Sequence, residues 1–323
     1  MPRLLTIWIL VGVAILAALI VLNPQAPHTH AAAAPKASSG MRPAPSGRIA
    51  YLPGKELCKL DKEAIDESSG VAAGRANKGV LWTHNDSGDK PRIFAFNHAG
   101  SDLASVKITG AAARDWEDIC SFAIGRRNFI MIADVGDNAS KRSICTLYVV
   151  PEPRLNVRQR GRKMSVPVAM TINFRYEDGA HNCESLAVDT TTKTIYLVSK
   201  CYGLACKVYA LALPARSPKK TLVAKAVASL RIPTATAMDI SPDGLRAVIC
   251  TYGNAYEYIR RPDETWAVGF SRAPRTIRLP LRTQGESICF GPDGQTLYLT
   301  SENLPAPLIR IPVKAPATRP ASK

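Results

Sequence analysis

Five times along this chain an acidic residue opens a short apolar run, a turn follows, and a second apolar run ends in polar residues. The copies are ESSGVAAG at Glu67, WEDICSFAIG at Glu117, CESLAVD at Glu184, MDISPDG at Asp239 and ESICFGPDG at Glu286, with the acids 50, 67, 55 and 47 residues apart. The second runs are VLWTHND (80–86), FIMIAD (129–134), TIYLVSK (194–200), RAVICTY (246–252) and LYLTSEN (297–303). Each is short and apolar enough to be a strand buried on both faces. Third runs follow at RIFAF, TLYVV, KVYAL, NAYEYI and PLIRI, and the more ragged stretches 103–109, 166–175, 221–232 and 275–281 suit outer fourth strands. Four strands per unit, in units of roughly 40–50 residues, are the signature of an all-β chain folded as a β-propeller.

The count points to five four-stranded blades, although the 117–184 interval leaves room for a sixth. The fifth copy has no fourth strand, whereas residues 48–60 (RIAYLPGKELCKL in 48–60) form a spare one before the first copy. Pairing that N-terminal strand with the segment around Pro307–Ile311 closes the last blade and leaves no free edge. The propeller is therefore assigned to 48–313. No long window there keeps a 3.6-residue apolar stripe, so almost no helix is expected.

The ends read differently. Residues 1–22 hold a nineteen-residue uncharged stretch, Leu4 to Leu22, behind Arg3. Its length suits a signal anchor, and the small residues Ala31–Ala34 leave cleavage as a signal peptide open. Under the positive-inside rule the rest of the chain faces outward. The expected location is extracytoplasmic, anchored in the membrane by the N-terminal segment, or secreted or periplasmic after cleavage. Residues 23–47 are a Pro/Ala-rich tether, in which His28 and His30 are better read as tether composition than as metal ligands. Residues 314–323 read as a disordered basic tail.

Eight cysteines in an exported chain permit disulfides. Cys201 and Cys206 flank Tyr-Gly-Leu-Ala, a turn that predicts a bridge between them. Cys120, Cys183, Cys250 and Cys289 lie in apolar runs as buried free thiols, and none has zinc-type spacing.

In antiparallel blades the start of the first strand and the end of the second meet at one face of the disc. Starts supply Glu67, Asp115, Trp116, Glu117, Asp118, Glu184, Asp239 and Glu286. Ends supply His84, Asn85, Asp86 and Asp89 from THNDSGD, Asp134, Asp137 and Asn138 from DVGDN, then Lys200, Asn254, Glu302 and Asn303. First strands line the axis, so Glu67, Glu117, Glu184, Asp239 and Glu286 are expected to ring one mouth of the channel. Like charges at such range need a bound cation, Lys or Arg partners, or raised carboxyl pKa values. Oxygen-only ligands suit Ca2+ or Mg2+; pairing with Arg92, Arg114, Arg142 or Lys200 is the competing outcome. His84, Asn85, Asp86, Asp89, Asp115, Trp116, Asp137, Asn138 and Lys200 are the expected ligand-binding residues.

The formal charge of +16 is partly an effect of the flanks: 1–48 carries four basic residues and 314–323 three, with no acid in either. Within the propeller the basic residues collect in 154–163, 216–225 and 272–282, near outer strands, giving a basic rim around an acidic centre. An exported chain with no helical or zinc-finger reader excludes nucleic acid as a partner.

At THNDSGD, RDWEDI, DVGDN and QGES the sequence resembles a group of exported bacterial β-propeller proteins, usually classed as lipoproteins or membrane proteins. The resemblance runs over about 65–310 and implies a propeller and an extracytoplasmic place. A looser, architectural likeness to calcium-activated nucleotidases, five-bladed propellers with an acid-lined axial calcium, supports the cation. G-x-S-x-G, P-loop, H-E-x-x-H and dinucleotide motifs do not occur. The leading expectation is a membrane-tethered or secreted propeller that binds a ligand or an envelope partner at an acidic, cation-containing face. The alternative is a Ca2+- or Mg2+-dependent hydrolase of phosphate or sugar esters, with Glu117 or Asp134 activating water.

Overall fold

Runs such as VLWTHN and TIYLVS, rich in β-branched and aromatic residues and free of Gly and Pro, favour extended backbone, and Gly- or Asp-rich turns end them. The structure, a computed structural model, describes residues 49–203 and 205–314. Its strands come in successive antiparallel meanders. After β1 (Lys55–Lys59), the first meander holds β2 (Ser68–Ala73), β3 (Val80–Asn85), β4 (Arg92–Asn97) and β5 (Asp102–Thr109). The second holds β6 (Trp116–Ile124), β7 (Arg127–Asp134) and β8 (Cys145–Pro151), then β9 (Arg162–Pro167) departs and β10 (Met170–Tyr176) returns. The third holds β11 (Cys183–Asp189), β12 (Thr194–Ser199), β13 (Cys206–Ala212) and β14 (Leu222–Leu230). The fourth holds β15 (Ala235–Ile240), β16 (Arg246–Thr251), β17 (Ala255–Ile259), the five-residue helix α1 (Trp266–Phe270) and β18 (Arg275–Ile277). The last holds β19 (Cys289–Phe290), β20 (Leu297–Leu299) and β21 (Pro307–Ile311).

The sheets have orders β1-β21-β20-β19, β2-β3-β4-β5-β9, β15-β16-β17-β18 and β11-β12-β13-β14-β10-β8-β7-β6. The eight-stranded sheet is two meanders joined at their outer edges, where β10 and β14 run parallel from Phe174↔Leu222 to Tyr176↔Ala224. As the unpartnered PLIRI run requires, β1 pairs antiparallel with β21, from Lys55↔Arg310 to Lys59↔Pro307. β9 is an addition that the repeat did not foresee: it lies parallel to β5 from Ala104↔Arg162 to Thr109↔Pro167.

The apolar faces meet between neighbouring sheets. Trp82 and Ile93 pack with Trp116 and Ile130, Phe122 and Leu147 with Leu186 and Tyr209, and Val198 and Val208 with Ile249 and Trp266. Val248 and Ile277 pack with Leu299 and Ile311, and Leu308 and Cys289 return to Leu81 and Phe94. At the centre β2 packs on β6, β6 on β11, β11 on β15, β15 on β19 and β19 on β2. The arrangement is all-β and of propeller type.

Buried polar side chains cross-tie the inner strands. Ser69 Oγ donates to Glu117 O at 2.8 Å. Asp118 accepts from the backbone N–H of Ile119 (2.8 Å), Leu186 (2.7 Å) and Met238 (3.1 Å). Asp239 accepts from Phe290 N, and the Ser68 and Thr300 hydroxyls share a 2.7 Å hydrogen bond that closes the circuit.

Cys120, Cys183, Cys250 and Cys289 are buried free thiols. Cys201 and Cys206 stand with their sulfurs 2.7 Å apart, so the turn brings the expected pair together. Among the described residues no helix is long and apolar enough to cross a membrane. The anchor or signal peptide at 1–22, the tether at 23–47 with His28 and His30, and the tail beyond Lys314 lie outside the described residues.

Candidate functional site

A β-bulge near the start of the inner strand sets the site. Pairing slips by a residue between Ser68 and Gly70, Trp116 and Asp118, Cys183 and Leu186, and Ala235 and Ala237. Bulges re-aim side chains, and the slip brings Ser69, Glu117, Glu184 and Thr236 to one position. Glu286, next to the Ser287 that bonds Thr300, stands at the corresponding place. Just past the ends of the second strands come Asp86, Val135, Lys200, Tyr252 and Glu302. Both sets share one mouth of the ring.

On one side the mouth carries clustered acids. One carboxylate oxygen each from Asp86, Asp115 and Glu117 lies within 4.8 Å of the others, and the same holds for Asp86, Glu286 and Glu302. Glu117 is 3% exposed, and its carboxylate has no hydrogen-bond donor among the described residues. Burial, then Glu184, Asp86, Asp115 and Glu286, pushes its pKa well above the carboxylate range. Burial raises Asp86 to about 6 and, with Glu286 beside it, Glu302 to about 9. Glu302 Oε1 is buried and unpartnered. Gly136 makes room for the first cluster: a Cβ there would overlap Glu117 Oε1 and stand 2.5 Å from the Asp115 carboxyl. Its N–H and that of Val135 both donate to Asp115 O at 3.1 Å.

On the other side the counter-charge is built in. Lys200 Nζ lies 2.6 Å from the Glu184 carboxylate and donates to Tyr252 Oη at 2.7 Å. Tyr252 donates to Glu286 Oε1 at 2.9 Å, and Gln284 Nε2 donates to the same oxygen at 3.2 Å. Burial pulls the Lys200 pKa down, but Glu184 and Tyr252 outweigh it and the ammonium is held charged. Burial raises Glu184 to about 7 against the pull of Lys200.

The structure separates several expected site residues from this mouth. His84 and Trp116 are fully buried in the core, edge to face at 5.9 Å. His84 Nδ1 donates to Asn85 O at 2.8 Å, Trp116 Nε1 donates to Ala112 O at 2.9 Å, and burial lowers His84 to about 4. Asn85 and Asp89 shape their own loop: Asn85 Nδ2 donates to Ala64 O and Asp66, and Asp89 pairs with Arg92 at 2.8 Å. Asp134 pairs with Arg142 at 2.8 Å, and Asp137 accepts from Arg142 N at 2.6 Å. Asn138 accepts from Asn182, which also donates to Glu184. The DVGDN loop is thereby folded around Arg142, which removes Asp134 as a free base.

The expected ring of five acids is three at this register. Thr236 occupies the place foreseen for Asp239, which lies three residues deeper, with its carboxylate on Phe290 N and Ile240 N. Asp239 lines a separate cavity of about 410 Å3 with Arg75, Lys78, Ser121 and Phe290. Glu67 precedes the bulge by two residues and is exposed, while its carbonyl accepts from Asp86 N at 3.0 Å. Tyr252, Gln284 and Gly136 were missed. The signal for Tyr252 was its place just past a second strand, equivalent to Asp86 and Lys200.

No protein-family model matches this sequence, and no curated protein matches it. Among solved structures it is similar to a gluconolactonase from Xanthomonas campestris, with 15% identity over 84% of this chain and 99% of that one and a TM-score of 0.43. It is also similar to a protein described as a 6-phosphogluconolactonase from Bacteroides uniformis, with 13% identity over 78% of this chain and 69% of that one and a TM-score of 0.37.

Proposed function

We propose that this chain is a five-bladed propeller, membrane-tethered or secreted, that binds an oxygen-rich ligand or envelope partner through a divalent cation, Ca2+ or Mg2+, at its acidic mouth. The count takes the eight-stranded sheet as two blades and β1 as the closing strand of the last. The observation that carries the reading is Glu117: a buried carboxylate without a donor, with Asp86 and Asp115 oxygens within 4.8 Å. Buried carboxylates are otherwise paired or neutral. Three oxygens within 4.8 Å of one another lie at most about 2.8 Å from a common centre, so a small inward movement of the side chains brings all three to a Ca–O distance of about 2.3–2.6 Å. Lys200 and Tyr252, on the other side of the mouth, would offer an anionic or hydroxylated ligand its second anchor. Extracytoplasmic tethering rests on the sequence of residues 1–47.

A second reading keeps the same site and adds hydrolysis of a phosphate or sugar ester. Its support is the Glu117 carboxylate, which is buried without a hydrogen-bond donor among the described residues and so keeps an oxygen free to accept a proton from an attacking water. Metal analysis of the purified protein, with melting temperature in EDTA and in Ca2+, tests the cation. Bound metal and a higher melting temperature in Ca2+, both diminished in Glu117→Gln, are expected. Identical melts without bound metal overturn the reading. Turnover in a phosphoester and glycoside panel, abolished in Glu117→Gln, would select the hydrolase.

A further inference from the structure

We infer that the mouth is built for two divalent cations bridged by Asp86, one held by Asp115 and Glu117 and the other by Glu286 and Glu302. This rests on the cation reading above and deepens it. Asp86 is the one residue common to both carboxylate groups, each of which fits within 4.8 Å. The other members of the two groups come from the two neighbours of the first meander, Asp115 and Glu117 at the entry of β6 and Glu286 and Glu302 in the last meander, so each neighbour supplies its own pair. A carboxylate has two oxygens, and bridging lets each face one ion, the arrangement that holds paired metals about 3.5–4 Å apart.

Each half has its own unsatisfied atom pointing to a ligand. In the first it is the buried Glu117 carboxylate, framed by the space that Gly136 leaves open. In the second it is Glu302 Oε1, buried and without a donor. Glu286, by contrast, has one oxygen already taken by Tyr252 and Gln284, which fixes its orientation. Charge points the same way. Five carboxylates meet here, while Arg142 is engaged with Asp134 and Lys200 stands 2.6 Å from Glu184 and 3.9 Å from Glu286, so acids outnumber cations. The wide span suits Ca2+ better than Mg2+, whose Mg–O distance of about 2.0–2.1 Å demands a tighter cage.

The test counts metal. Full-length protein is stripped with EDTA, dialysed against Ca2+, and its bound metal measured by plasma mass spectrometry. About two ions per chain are expected in the wild type, about one in Asp115→Asn and in Glu302→Gln, and fewer than one in Asp86→Asn. Far-UV circular dichroism in EDTA checks that each variant is folded. Loading with Mn2+ gives a second readout, since ions sharing a carboxylate couple magnetically. The electron paramagnetic resonance spectrum should show that coupling in the wild type and revert to an isolated ion in Glu302→Gln. One ion per chain, unchanged by Glu302→Gln and with no coupling, overturns the pair but leaves the single-cation reading intact. No bound metal overturns both.

Discussion

Lys200 Nζ stands 2.6 Å from the Glu184 carboxylate, with both side chains almost fully buried at the mouth of the ring. The contact makes one side of the mouth neutral without outside help, so its removal isolates a buried acid. Lys200→Met keeps the length of the side chain and deletes the charge. Breaking a buried pair from one side costs about 3–5 kcal/mol. Urea unfolding at pH 8 in EDTA should show a loss of that order, and a wild-type midpoint would show that Glu184 is compensated elsewhere.

Gly136 lies against Glu117 and Asp115, and its backbone is not in the left-handed region, so alanine is allowed there conformationally. The added methyl group instead intrudes on the two carboxylates. Gly136→Ala should therefore abolish most of the Ca2+-dependent rise in melting temperature, which mass action sets at about 2.7 kcal/mol for a hundredfold excess over the dissociation constant. Differential scanning calorimetry with and without Ca2+ checks it. An undiminished rise would place the ion away from Glu117.

Asp118 ties three inner strands through the N–H groups of Ile119, Leu186 and Met238. In Asp118→Asn one oxygen becomes an NH2 group that faces backbone donors, leaving buried groups unsatisfied at about 1–3 kcal/mol each. A stability loss of roughly 2–4 kcal/mol is expected in urea, with Ca2+ stoichiometry unchanged because Asp118 is not at the mouth. Loss of metal with wild-type stability would reverse these roles.

β1 covers the edge of β21. Deleting 48–60 should leave β21 as an open edge and shift the protein toward aggregates in size-exclusion chromatography. A soluble, cooperatively melting deletion variant would show that the closure is dispensable.

The repeat made the strands legible because both-face burial demands continuous apolar runs, and it made β1 legible because PLIRI had no partner. β9 escaped because RKMSVP is basic and half exposed, and its stability comes from pairing with β5 rather than from its own pattern. The site was legible only in part for a geometric reason. The residue that heads each copy in the sequence need not sit at the bulge, and Glu67 and Asp239 fall two residues before it and three after it. Tyr252 ends the apolar run RAVICTY, and only its place just past β16, equivalent to that of Lys200 after β12, marks it for the mouth.

Asp239, at the far end of the inner strand, should leave a pH signature of its own. Burial raises its pKa to about 6 from the model-peptide value of 3.8, against the opposing pull of Phe290 N–H, Arg75 and Ile240 N–H. A folded-state pKa above the unfolded one means that the native protein binds the proton more tightly. Its contribution is therefore fully present below about pH 4 and is lost as pH rises to about 6. Two pKa units correspond to about 3 kcal/mol. Other buried carboxyls titrate as well, so the informative quantity is the difference between wild type and Asp239→Asn, which cannot ionise. Urea midpoints in EDTA from pH 4 to 7 should show wild type losing stability relative to the variant across that window and running parallel above it. Parallel curves throughout would mean that the three favourable partners already hold Asp239 ionised at pH 4.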